Sequence, residues 1–191
     1  MTTITITTIT AASCLWKIVG GVEAFNLRSG MTRFVGNELP DDLYGRLRAS
    51  NLEACAHKVI LISTVDGEGW PHPAMLSYFE VVALDRRNIR LATYKASSTT
   101  NNMRRVRRAT ISIIDERVAY YIKGSVVEVR REMAVAPYNS NLNMRVERVL
   151  KDEVNEELEP GAYVASGVTY VNPNRAAELR RAVEILRELS E

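Results

Sequence analysis

A chain of 191 residues, 46% hydrophobic and 25% charged, is long enough for one domain with a sizeable core. Its formal charge of +2 is too small to demand nucleic acid as a partner, and no apolar run is long enough to span a bilayer. Two cysteines, Cys14 and Cys55, exclude a disulfide framework and lack metal-type spacing, so they read as isolated thiols in a reducing, cytoplasmic setting.

Residues 1–30 are rich in Thr and Ile, with no charge before Lys17 and no acidic residue before Glu23. That is not the basic start of a signal peptide. The segment reads as an N-terminal extension, either a disordered arm or an overextended start, and the domain as residues 31–191. ELPDDLYGRLRASNLEACA predicts a helix: Pro40 suits its first turn, Asp41 and Asp42 its positive end, and Leu43, Leu47 and Leu52 an apolar face. KVILISTV is a β-branched strand closed by the turn signal Asp66–Gly69. HPAMLSYFEVVAL reads as one long strand and NIRLATY as the next, which together predict an antiparallel meander.

A short helix is expected over Ser98–Arg107, capped by Ser97 or Ser98, followed by the strands ATISIID and RVAYYIKGSVVEVRR, with a bulge or bend at Gly124. Leu142, Val146, Val149 and Leu150 predict a helix over Asn139–Leu158, stopped by Pro160-Gly161. AYVASGVTYV reads as a last strand, and the tail beyond Pro173 as an amphipathic helix presenting Leu179, Val183, Leu186 and Leu189. The sum is a mainly β (α+β) fold of about six antiparallel strands in a small barrel with peripheral helices.

Three blocks carry a resemblance: ILISTVDGEGWPHPAMLSYFEV, IRLATYKASSTTNNMRRVRRATISI and YYIKGSVVEV. In order and spacing they resemble the pyridoxamine 5′-phosphate oxidase-like, FMN-binding split barrels, over roughly half the chain. The resemblance implies a six-stranded split barrel, bound FMN, and a homodimer with two flavin sites at the subunit boundary. It implies that Met75, Leu76 and Ser77 lie along the flavin, that Thr93 and Tyr94 end a strand near the ring, and that Ser97, Ser98, Thr99 and Asn102 surround the ribityl phosphate. Hydroxyls and amides opening a helix are independently suited to an anion.

Two departures stand out. The true oxidases carry an Arg near Ala74 and a Lys near Thr99, with Lys95, Arg104 and Arg105 as the available replacements here. Their C-terminal substrate block is also absent, so oxidation of pyridoxamine phosphate is not expected. The expectation is an FMN-dependent oxidoreductase acting on an unidentified small molecule; the alternative is a non-catalytic flavin carrier or redox sensor. A relative preferring deazaflavin or haem is a third reading. Arg104, Arg105, Arg107 and Arg108 form a short basic block that reads as a solvated face rather than a nucleic-acid footprint. His72 reads as structural rather than catalytic, Trp70 as packing or a subunit interface, and His57 is assigned no role; no residue is assigned as a catalytic acid or base.

Overall fold

The computed structural model describes residues 32–48 and 52–191; the N-terminal extension lies outside them. Eight strands form one antiparallel sheet: β1 (Thr32–Gly36), β2 (Val59–Val65), β3 (Pro71–Ser77), β4 (Val81–Ala83), β5 (Asn88–Tyr94), β6 (Arg108–Asp115), β7 (Val118–Arg130) and β8 (Asn139–Asp152). The helices are α1 (Asp41–Leu47), α2 (Leu52–Cys55), α3 (Ser98–Val106) and α4 (Arg175–Leu189). The strand order is β3-β2-β6-β7-β8-β5-β4. β8 meets β7 along one edge and, along the other, β5 over its first half and β1 over its last residues. The sheet curls into an open barrel, as the split-barrel expectation requires, with eight strands rather than six.

Alternation explains the curl. β2 and β6 alternate buried and partly buried positions with period two, so Ile60, Ile62, Ile111 and Ile113 point inward, joined there by Ile89, Leu91, Ile122, Leu142 and Met144. α1 plugs this core with Leu43 and Leu47. A second cluster lies on the outer face, where α4 lays Ala182, Ile185, Leu186 and Leu189 over Phe79, Val82, Ala92, Met133 and Ala136. Val183, expected on that apolar face, is exposed.

Gly124 marks an irregularity, as its sequence position predicts. The register slips there because Glu147 of β8 is an extra residue, and a Cβ at Gly124 would sit 2.2 Å from the Arg145 carbonyl oxygen. β3 is an edge strand, and Pro71 and Pro73 blunt it by removing N–H groups.

Four expectations need correction. Residues 139–152 are a strand, not a helix: Leu142, Met144 and Val146 alternate with polar residues, and the bulge then brings Val149 inward. The Leu142–Val146 spacing of four fits both periods, which is why it misled. HPAMLSYFEVVAL is two strands, because the chain bends at Tyr78–Glu80; β3 and β4 end up at opposite ends of the sheet order, so there is no meander. AYVASGVTYV is not a strand. It runs as coil against the start of β2, with a single bridge between Lys58 and Thr169, and Gly167 abuts the Ile114 carbonyl too closely for any Cβ. The first helix is two short ones, with Arg48 as the C-cap of α1. No helix among the described residues is long and apolar enough to cross a membrane.

Candidate functional site

The residues singled out for a ligand fall into two neighbouring regions. The first is a groove of about 380 Å³ between the end of β3, the end of β5 and α4. Met75, Leu76, Ser77 and Tyr94 line it, with Phe79, Glu80, Tyr138 and Asn139. Met75 and Tyr94 are each 62% exposed, large apolar surfaces held on regular strands, while Leu76 turns into the core. The Tyr94 and Tyr138 rings lie 5.6 Å apart, tilted by 33°. α4 supplies the opposite wall through Glu178, Arg181, Ala182 and Ile185. It also fixes the loop that carries Tyr138: Glu188 accepts hydrogen bonds from the Ala134 and Val135 amides at 2.8 and 2.9 Å, and from Arg130 at 3.0 Å.

Ser77 does not present open donors to this groove. Its amide and its hydroxyl both donate to Oε2 of Glu80, at 2.8 and 2.9 Å. Burial pushes the Glu80 carboxyl up from its ordinary range; the two Ser77 bonds oppose that, and the charge of Glu178 adds to it.

The second region is the start of α3. Tyr94 connects the two, since its carbonyl accepts from the Ser97 amide at 3.0 Å. Ser97 is the N-cap, as expected; its Oγ accepts from the Thr100 amide at 3.2 Å. Thr93 turns inward and its Oγ1 lies 2.6 Å from that of Thr100, which also donates to the Tyr94 carbonyl at 2.7 Å. Asn102 reaches back to Thr64 on β2, 3.1 Å away, and Thr99 is buried. Of the four residues expected around a phosphate, only Ser98 is exposed, while Ser97 is partly so.

The cations available to replace the missing Arg and Lys are engaged. Arg104 donates to Glu128, to the Lys95 carbonyl, to Asn101 and to Ser140, and it holds the Glu128 carboxyl below its ordinary value. Lys95 pairs with Glu132 at 2.6 Å, and Arg105 donates to the Val65 carbonyl. Tyr120 and Tyr121 face opposite sides of β7: Tyr120 is buried in the core and its hydroxyl donates to Asp42, while the partly exposed Tyr121 donates to Asp152. No group of three or more His, Cys, Asp or Glu suited to a metal occurs among the described residues.

Two groove residues, Tyr138 and Asn139, were hidden from sequence reasoning at the edge of a segment assigned as helix. Glu80 did carry a signal, being the one charge inside the apolar run YFEVVAL.

The uncharacterized protein YclD of Bacillus subtilis is 37% identical over 87 residues, which are 46% of this chain and 56% of that protein, so the chain spans little more than half the length of this curated relative. Among solved structures, an FMN-binding protein from Syntrophomonas wolfei shares 13% identity, covering 60% of this chain and 88% of that one with a TM-score of 0.47. HutZ, the heme storage protein from Vibrio cholerae, shares 12% identity over 59% of this chain and 95% of that one, with a TM-score of 0.44. Residues 50–166, more than half the chain and spanning every strand from β2 to β8, match the family described as pyridoxamine 5′-phosphate oxidase, and to that family this chain belongs.

Proposed function

We propose that this protein is an FMN-binding flavoprotein and that its groove holds the flavin ring. The observation that carries the reading is the junction of two features: an aromatic groove edged by Met75–Ser77 and walled by Tyr94, and a helix start joined to it through the Tyr94–Ser97 turn. Exposed, rigidly mounted Met75 and Tyr94 suit the faces and rim of a planar ring. Ser97 and Ser98, with the first amides of α3, would lie toward the phosphate, where free helix N–H groups favour an anion. When bound, FMN supplies hydride and single-electron transfer, and the protein's part is to position it and exclude water. The reading is an oxidoreductase of the reducing cytoplasm acting on a small molecule. Family membership extends it to a homodimer, for which the exposed Val127, Val129 and Tyr138 offer apolar surface.

A second reading, a carrier or redox sensor without turnover, is favoured by one observation. Arg104 and Lys95 are paired with Glu128 and Glu132, so neutral donors would hold the phosphate and binding would be exchangeable.

The test is a visible absorption spectrum of purified protein before and after FMN is added and the mixture desalted. About one flavin retained per chain supports the proposal, and reduction by dithionite followed by reoxidation with a range of acceptors separates enzyme from carrier. Protein that retains no flavin at any concentration removes the cofactor from the account. Light scattering reads the homodimer, and a monomer at all concentrations would sink it.

A further inference from the structure

The Ser77 amide and hydroxyl converge on one point of the groove wall, and that point is filled by an oxygen of the chain itself. Glu80 Oε2 takes both donors, while the rest of its half-buried side chain lines the groove. Two donors aimed at a single oxygen make a seat for an acceptor, here occupied by a carboxylate. The occupant is expensive to keep: it is largely desolvated, and Glu178 of α4 stands on the same groove. The tight bend after β3 is also held by backbone alone, through the amide of Glu80 donating to the Ser77 carbonyl at 3.1 Å.

We propose that Glu80 is an intramolecular competitor for the ligand: its carboxylate fills the seat that a carbonyl oxygen of the bound ring takes, and binding requires Glu80 to swing out of it. The proposal rests on the flavin reading above and adds a regulatory element to the same site. In the ligand-free groove both Ser77 donors are satisfied by Glu80, and the cost of displacing it lowers the affinity for any ring that enters. Loose, exchangeable binding follows from this contact independently of how the phosphate is held. Ser77 and Glu80 then act as a pair. The first recognises the ligand oxygen, and the second sets how readily it is admitted.

The contrary account is that Glu80 only staples the bend between β3 and β4. The two accounts predict opposite signs. FMN is titrated into ligand-free wild type, Glu80→Ala, Glu80→Gln and Ser77→Ala, with binding followed by flavin fluorescence and folding by circular dichroism. Competition predicts that Glu80→Ala binds FMN more tightly by roughly tenfold, the net factor expected when the ligand no longer has to exchange its own oxygen for a carboxylate held by two hydrogen bonds. Glu80→Gln, isosteric but a weaker acceptor, falls between Glu80→Ala and wild type, and Ser77→Ala binds less tightly than wild type. If Glu80→Gln stays folded and binds FMN no better than wild type, the competitor role is overturned while the flavin reading stands. If neither wild type nor the folded Glu80 variants bind FMN, the flavin reading itself is overturned, and this inference with it. Should Glu80→Ala fail to fold, Glu80→Gln decides alone.

Discussion

The start of α3 and the groove beneath α4 lie one turn apart and are built in opposite ways. At α3 the polar side chains face the protein: Thr93, Ser97, Thr100 and Asn102 hydrogen-bond to one another, to Thr64 and to backbone, and Arg104 ties the helix to Glu128. In the groove, large apolar side chains remain outside the core, with Met75, Tyr94 and Tyr138 exposed around a cavity. The difference is instructive. A run of hydroxyls and amides before a helix is what an anion site needs, but it is also what a capped helix docked on a sheet edge needs. Residue types alone do not separate the two, whereas exposed aromatic surface beside a cavity carries less of a structural explanation.

The sharpest way to break this contrast is Thr100→Val. The fully buried hydroxyl joins Thr93, the Tyr94 carbonyl and Ser97, so an isosteric apolar replacement strands the buried Thr93 hydroxyl and loosens two part-buried partners. Urea unfolding should show a loss of about 2–3 kcal/mol. An unchanged midpoint would mean that the turn is not the structural unit described here. Tyr94→Ala should show the reverse profile. Its ring is exposed, so stability should change by no more than about 0.5 kcal/mol, while FMN affinity falls by roughly tenfold with the lost aromatic contact. A large stability loss without an effect on FMN would reassign Tyr94 to packing.

A smaller effect sharpens the α3 side. The hydrogen bond from Arg104 holds the Glu128 carboxyl below its ordinary 4.5. Asp115 is likewise held below its ordinary 3.8: burial pushes it up, but the bonds from Lys58, the Glu116 amide and Arg46 together outweigh burial. A depressed carboxyl contributes stability above its unfolded-state value and loses it as pH falls through the folded-state value. Both contributions are therefore complete near neutrality and disappear below about pH 4, into the acid range. Glu128→Gln should flatten part of that acid limb, by no more than about 1 kcal/mol because the pair is partly exposed. An acid limb identical in wild type and variant would show that the pair contributes nothing.

Much of the frame was legible from the sequence. β2, β5, β6, β7, α3 with its Ser97 cap, and α4 follow from β-branched alternation, capping chemistry and helical spacing. What escaped has physical reasons. β8 hid behind a four-residue spacing common to both periods, and the bulge at Glu147 broke the alternation that would have revealed it. The bend at Tyr78–Glu80 contains neither Gly nor Pro, so the split of one strand into two left no turn signal. Residues 162–171 carry strand-like residues, but no free sheet edge pairs them beyond one bridge. On the site, Met75–Ser77 and Tyr94 were grouped by resemblance, and the fold brings them to one groove. What the local pattern did not reveal is that Asn102 points into the protein, since its partner Thr64 lies 38 residues away, or that the unsignalled bend after β3 folds Glu80 back onto the Ser77 donors.

The two regions can be weighed against each other in one experiment, titration of the ligand-free protein with FMN and with riboflavin, which keeps the ring and lacks the phosphate. The account predicts that both bind, because the groove holds the ring. FMN should bind the more tightly by about tenfold, a modest factor that reflects neutral donors at the start of α3. If neither compound binds at any attainable concentration, the groove is not a flavin site, and the central claim is contradicted.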